Sequence, residues 1–100
     1  MHIIEQHRDD VAALCRRAGA RRLDVFGSAA RDDFDPATSD IDFLVEFDDD
    51  PTRLFDRYFG LKESLEALFG RPVDLVTDSA LENPCFRASV ESERRPVYAR

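Results

Sequence analysis

Leu23-Asp24-Val25-Phe26-Gly27-Ser28-Ala29-Ala30-Arg31 and, after a polar interval, Ser39-Asp40-Ile41-Asp42-Phe43-Leu44-Val45-Glu46-Phe47 are the two runs on which the fold turns. In the second, Ile41, Phe43, Val45 and Phe47 alternate with Asp40, Asp42, Leu44 and Glu46, the period of a strand with one face buried. Asp40 and Asp42 therefore share the other face. The first is an apolar run that stops at Gly27-Ser28 and turns helical over Ser28–Asp32. Gly27 permits the abrupt change of direction, and a helix that starts there offers free N–H groups to an anion.

Outward from these runs the chain reads as alternating helices and strands. Ile3, Ile4, His7, Val11, Leu14, Cys15 and Ala18 fall on one stripe and predict a helix over Ile3–Ala18, finished by Arg16-Arg17 and capped by Gly19. His7 reads as a stripe residue, since no second metal ligand lies near it in the pattern. His2 reads as part of a frayed terminus. Arg21–Phe26 is the first strand, Asp33–Ser39 a surface loop of turn formers, and Asp40–Phe47 the second strand. Asp48-Asp49-Asp50-Pro51 ends it and reads as a solvated loop.

Thr52 is the expected N-cap of a long helix to Phe69, with Leu54, Phe55, Tyr58, Leu61, Leu65, Leu68 and Phe69 as its core stripe. Gly60 opens the option of a bend, and Gly70 with Pro72 stops the helix. Pro72–Thr77 is the third strand. Asp74 sits among Val73, Leu75 and Val76, where a partly buried carboxylate must find a partner or shift its pKa. Asn83-Pro84 opens a last helix to Glu93, anchored by Phe86 and Val90, and Pro96-Val97-Tyr98 is a candidate terminal strand.

Bulk properties narrow the possibilities. With 100 residues, 43% of them hydrophobic and 35% charged, the chain is expected to be one globular domain. No apolar run reaches bilayer length and charges interrupt the first residues, so a cytoplasmic location without membrane contact is the default expectation. Two cysteines without CxxC spacing read as reduced, partly buried thiols. The net charge of -7, from 21 acidic and 14 basic residues, has the wrong sign for a grip on nucleic-acid phosphates. It suits binding of divalent cations or docking on a basic protein partner.

Asp40, Asp42 and Asp74 all project from predicted strands, and neighbouring strands would bring them to one face. Carboxylates that close repel one another, by about 1 kcal/mol or more each, so water or a cation must separate them. A hard divalent ion such as magnesium, with sites left for phosphate oxygens, is one answer. The other is a solvent-facing sheet whose acidic residues are simply wet. The Gly27-Ser28 turn favours the first, because a phosphate cradle beside acidic strand positions is what a nucleoside triphosphate and its metals require. An aspartyl-nucleophile phosphatase would end its strand with the acidic pair instead of beginning it. A calcium loop lacks its glycine and distal glutamate here, and no GxxxxGK[ST] segment is present.

Phe26-Gly27-Ser28-Ala29-Ala30-Arg31, Ser39-Asp40-Ile41-Asp42-Phe43-Leu44-Val45 and Val73-Asp74-Leu75-Val76, followed by Asn83-Pro84 and Val97-Tyr98, resemble the minimal nucleotidyltransferase (MNT) family of the DNA polymerase β-like superfamily. The resemblance covers nearly the whole chain. It implies an α/β nucleotidyltransferase fold, a small mixed sheet with helices packed on one side. It also implies nucleotidyl transfer assisted by two Mg2+ ions, with ATP as substrate: Asp40, Asp42 and Asp74 would hold the metals, Asp74 would help deprotonate the attacking hydroxyl, and Gly27 and Ser28 would grip phosphates. Arg31 matches the motif arginine, as a phosphate contact or as an ion pair with a nearby aspartate. The interval Ala29–Ser39 is slightly longer than usual, and Asp32 stands where many relatives have glycine.

Members of this size resemble antitoxins that transfer AMP from ATP to a tyrosine of a HEPN-domain toxin, which implies a hetero-oligomer. Two alternatives stay open: a non-catalytic antitoxin that neutralises its partner by contact, and a subunit of a small-molecule nucleotidyltransferase. The acceptor is expected on another chain.

Overall fold

Each of the two runs ends up as a central strand, flanked by the two shorter strands. A computed structural model of the chain describes residues 2–27, 30, 40–50, 52–77 and 82–100. In chain order the elements are α1 (His2–Gln6), α2 (Arg8–Ala18), β1 (Ala20–Phe26), β2 (Ile41–Phe47), α3 (Leu54–Phe69), β3 (Val73–Thr77), α4 (Pro84–Glu93) and β4 (Arg95–Ala99). The four strands form one sheet in the order β3-β2-β1-β4. β1 runs antiparallel to both β2 and β4. β2 and β3 are parallel, as a strand–helix–strand crossover through α3 requires.

The alternation along β2 sorts the sheet into two faces. Val25, Phe43 and Leu75 lie on one face with Leu23, Ile41, Val45 and Val73, and bury against Ile4, Val11 and Cys15 and against Leu61, Leu65 and Phe69 of α3. The opposite face is not bare. Phe26 and Leu44 are buried there with Val90 of α4, and Val76 and Phe86 pack against them. The helices are therefore not all on one side: α1 to α3 cover one face, and α4 covers part of the other. Leu44 does sit in the polar register of β2, but α4 shields it, which alternation alone does not reveal.

Several local expectations change for identifiable reasons. The predicted first helix breaks at His7 (φ -117, ψ 17), which separates α1 from α2. Its ring meets Phe69 edge-on at 5.3 Å, so His7 serves packing. His2's side chain lies outside the described residues. Gly19 caps α2 in the left-handed region (φ 73), as expected. α3 begins at Leu54 after Arg53, itself left-handed at φ 55, rather than being capped by Thr52. Asp50 instead accepts a bond from the Thr52 N–H. The helix runs through Gly60 without a break.

Its stripe joins the core from Tyr58 onward: Leu54 and Phe55 are 44% and 74% exposed, whereas Tyr58 packs against the buried cluster. The thiols also differ from each other. Cys15 is buried, and that burial pushes its pKa up to about 12, whereas Cys85 is exposed; neither is in a disulfide. Asp74 is exposed on an edge strand, so it needs no buried partner.

The acidic run after β2 is structural as well as solvated. Arg57 of α3 donates to the carbonyls of Ala18 (2.8 Å), Gly19 (3.1 Å) and Asp50 (2.7 Å), and to the Asp48 carboxylate at 2.7 Å. It also stacks over Phe47 at 5.3 Å. One guanidinium thus ties the end of α2, the end of β2 and the start of α3, satisfying carbonyls that a helix terminus leaves open. The sheet's other face carries a buried charge, Asp24, which is fully inaccessible. Arg94 donates to it from Nε at 2.6 Å, and Arg22 from Nε at 3.1 Å.

Two stability predictions rest on these pairs. Arg94→Met strands most of the charge on Asp24 and should lower unfolding free energy by about 3 kcal/mol in urea denaturation. A loss under about 1 kcal/mol would contradict the pairing. The Asp48 pKa is held below its usual value, foremost by the Arg57 hydrogen bond. A carboxylate with a lowered folded pKa stabilises the fold in full above its unfolded value, about 3.9, and loses that contribution as pH falls through the folded value. Asp48→Asn should therefore flatten the acid limb of a melting-temperature profile below about pH 4 and leave its neutral limb sloped as before.

Candidate active site

Parallel register sets the centre of the site. Asp42 of β2 lies directly opposite Asp74 of β3, with Ile41 opposite Val73 and Phe43 opposite Leu75. Residues paired in this way point to the same face, so both carboxylates stand on the face that carries Phe26 and Leu44. One bond joins β2 to β3 at this end, and two tie β3 to α3. The Glu66 carboxylate accepts from the Val73 N–H at 3.0 Å, the Ile41 N–H donates to the Pro72 carbonyl at 3.2 Å, and the Tyr58 hydroxyl donates to the Leu75 carbonyl. The Val73 bond also holds the Glu66 pKa below its ordinary value. α3 thereby does more than connect two strands; it meets backbone groups of the edge strand that carries Asp74.

Asp40 stands just before β2, exposed, at the strand's entrance. Two carboxylates opposite one another on neighbouring strands repel each other unless a positive group comes between. Among the described residues no three His, Cys, Asp or Glu side chains gather into a group that could hold an ion by themselves. The donor set is an open pair with Asp40 at its edge. That fits a magnesium ion, which binds through one or two carboxylates and takes its other ligands from water and substrate phosphates.

The end of β1 closes on the same carboxylates. Phe26 pairs with Asp42 across the strands, and Gly27 follows at φ 69. A Cβ on Gly27 would come within 2.4 Å of Asp42 Oδ2. Glycine is favoured here by the left-handed backbone, and its lack of a side chain leaves room for the Asp42 carboxylate where it stands. The Gly27 N–H donates to Glu93 Oε2 at 3.2 Å, and the Gly27 carbonyl accepts from the Ala30 N–H at 3.1 Å. Ser28 and Arg31, the other expected phosphate-binding residues, lie outside the described residues.

The structure adds three residues that sequence patterns did not single out. Asp24, Glu93 and Arg94 link β1 to the junction of α4 and β4. For Asp24 a signal did exist: an aspartate inside an apolar strand is as anomalous as Asp74. Glu93 and Arg94 carry none, since a helix ending in charged residues is ordinary. A separate cleft of about 510 Å³ opens between α2 and α3, lined by Arg16, Arg17, Asp48, Arg53 and Arg57 among others. It lies beside the start of β1 and the end of β2, so it is not part of the Asp42–Asp74 site.

Comparisons with known proteins bear on the family and the fold. The family model described as "Nucleotidyltransferase domain" matches residues 7–98. The protein adenylyltransferase MntA of Thermococcus cleftensis is 40% identical over 81 residues, 81% of this chain and 76% of that protein. A solved structure described as a minimal nucleotidyltransferase superposes with a TM-score of 0.76 at 39% identity, covering 92% of this chain and 90% of that one. The fold also matches, at 17% identity and a TM-score of 0.66, a tri-AMPylated Shewanella oneidensis HEPN toxin in complex with MNT antitoxin, over 97% of this chain and 73% of that one. The chain therefore belongs to the nucleotidyltransferase domain family, as a minimal nucleotidyltransferase homologous to MntA.

Proposed function

We propose that the chain is a protein adenylyltransferase that moves AMP from ATP, with Mg2+, to a tyrosine hydroxyl of a HEPN-domain toxin and thereby acts as its antitoxin. The observation that carries the reading is the register that sets Asp42 beside Asp74 against the Gly27 turn. The MntA relative supplies the reaction class and the HEPN–MNT complex supplies the kind of acceptor. Asp40, Asp42 and Asp74 would hold the magnesium. Bound magnesium supplies positive charge for the phosphates and for the leaving pyrophosphate.

The residues of the chain do the rest. Asp74, exposed on the edge strand, is open to an acceptor approaching from another molecule and takes the proton from its hydroxyl. The acceptor oxygen then forms a bond to the α-phosphorus while the bond from that phosphorus to the bridging oxygen breaks, and pyrophosphate leaves. Gly27 leaves room for the Asp42 carboxylate, and Ser28 and Arg31 are assigned to the phosphates. Among the described residues no helix is long and apolar enough to cross a membrane.

Incubation with a purified HEPN-domain toxin, Mg2+ and α-labelled ATP tests the proposal. Label should pass to the partner, and Asp42→Asn should cut the rate by about 100-fold or more while the protein stays folded. No transfer by the wild type, or full neutralisation of the toxin by an Asp40→Ala/Asp42→Ala variant, would favour a contact-only antitoxin and overturn the enzymatic reading.

A further inference from the structure

The contact between α4 and the glycine turn is placed where a strand would otherwise continue. β4 pairs with β1 in antiparallel register, Asp24 opposite Pro96 and Val25 opposite Arg95. Two residues further along that register, Gly27 would face Glu93. The chain is helical at Glu93, so no backbone rung forms there. The Glu93 side chain takes the rung's place and accepts the Gly27 N–H at 3.2 Å. Arg94, the next residue, is fixed on β1 by its bond to buried Asp24 at 2.6 Å. Burial alone would lower the Arg94 pKa, but the bond and charge of Asp24 outweigh it and raise it, so the anchor stays charged.

Gly27 is thereby held from two sides. Glu93 takes its N–H on the β4 side, and the Asp42 carboxylate lies against its Cα on the β2 side, at a distance where even a methyl group would collide. Small movements of the turn must therefore change its relation to Asp42. We propose that Glu93 is a positioning residue for the nucleotide site: its carboxylate holds the turn after β1 in register with Asp42, and so sets where the phosphate-binding backbone stands relative to the metal-holding carboxylates. The proposal rests on the nucleotide-binding reading above. What the Gly27 N–H requires is a hydrogen-bond acceptor at the end of a side chain of this length. Glutamine meets that requirement, and alanine does not.

Two measurements test it on the full chain with Glu93→Gln and Glu93→Ala. In the nucleotide-free protein, amide exchange at Gly27 followed by NMR should quicken about 10-fold or more in Glu93→Ala and stay near the wild-type rate in Glu93→Gln. With Mg2+ and AMP-PNP, calorimetric affinity should weaken about 10-fold or more in Glu93→Ala and remain within about 3-fold in Glu93→Gln. In the transfer reaction KM for ATP should rise with no change in KM for the protein acceptor, a split that general loosening of the fold would not give. Unchanged Gly27 exchange in Glu93→Ala, tighter nucleotide binding by it, or equal impairment of both variants would overturn the proposal. Failure of the wild type to bind AMP-PNP would overturn the nucleotide reading instead, while the exchange measurement still decides whether Glu93 holds the turn.

Discussion

Everything at the site depends on the register between β2 and β3. Because the side-chain period of a strand is two, a slip of one residue would send Asp74 to the face of Phe43 and Val25 and leave Asp42 facing an apolar neighbour. Parallel strands have no hairpin turn to fix their register, so the crossover helix must do it. Here α3 does so through side chains as well as through its length: Glu66 holds the Val73 N–H and Tyr58 the Leu75 carbonyl, on both sides of Asp74. Two polar residues of α3 thus hold the edge strand on both sides of a carboxylate that stands on the opposite face.

The two ends of the sheet are organised by different chemistry. At one, Arg57 gathers the ends of α2 and β2 and the start of α3. At the other, β1 opens into the glycine turn, and its surroundings come from the far end of the chain, with Glu93 and Arg94 reaching back across some seventy residues of sequence. That second arrangement also explains why α4 leaves the helical layer and crosses to the acidic face. Phe86 and Val90 bury Phe26 and Leu44, and the same packing delivers the two charged residues to β1.

Much of this was legible in the sequence, because strong periodicity survives folding. The three predicted strands begin within one residue of β1, β2 and β3, and the Asn83-Pro84 start of α4 is capped by the Asn83 side chain as expected. The terminal strand forms as well, as β4. What period and turn chemistry do not encode is partnership at a distance. Leu44 reads as outward and is outward, yet α4 lies over it. Phe55 reads as core, yet α3 overruns the sheet there and leaves it 74% exposed. Asp48 reads as one of three solvated charges, and its role appears only once Arg57 is seen beside it. For the site, the positions of Gly27, Asp42 and Asp74 followed from strand pattern and family motif, whereas their support by Glu66, Tyr58, Glu93 and Asp24–Arg94 needed the fold.

On the proposed function, the Asp42–Asp74 pair is a seat for a magnesium-bound nucleotide. Titration of AMP-PNP into the protein, with and without Mg2+, tests it most directly when repeated on an Asp42→Asn/Asp74→Asn variant whose folding is verified. Binding that needs Mg2+ and disappears in the double variant is the predicted result. Binding equally tight without Mg2+, or undiminished in the double variant, would contradict the claim.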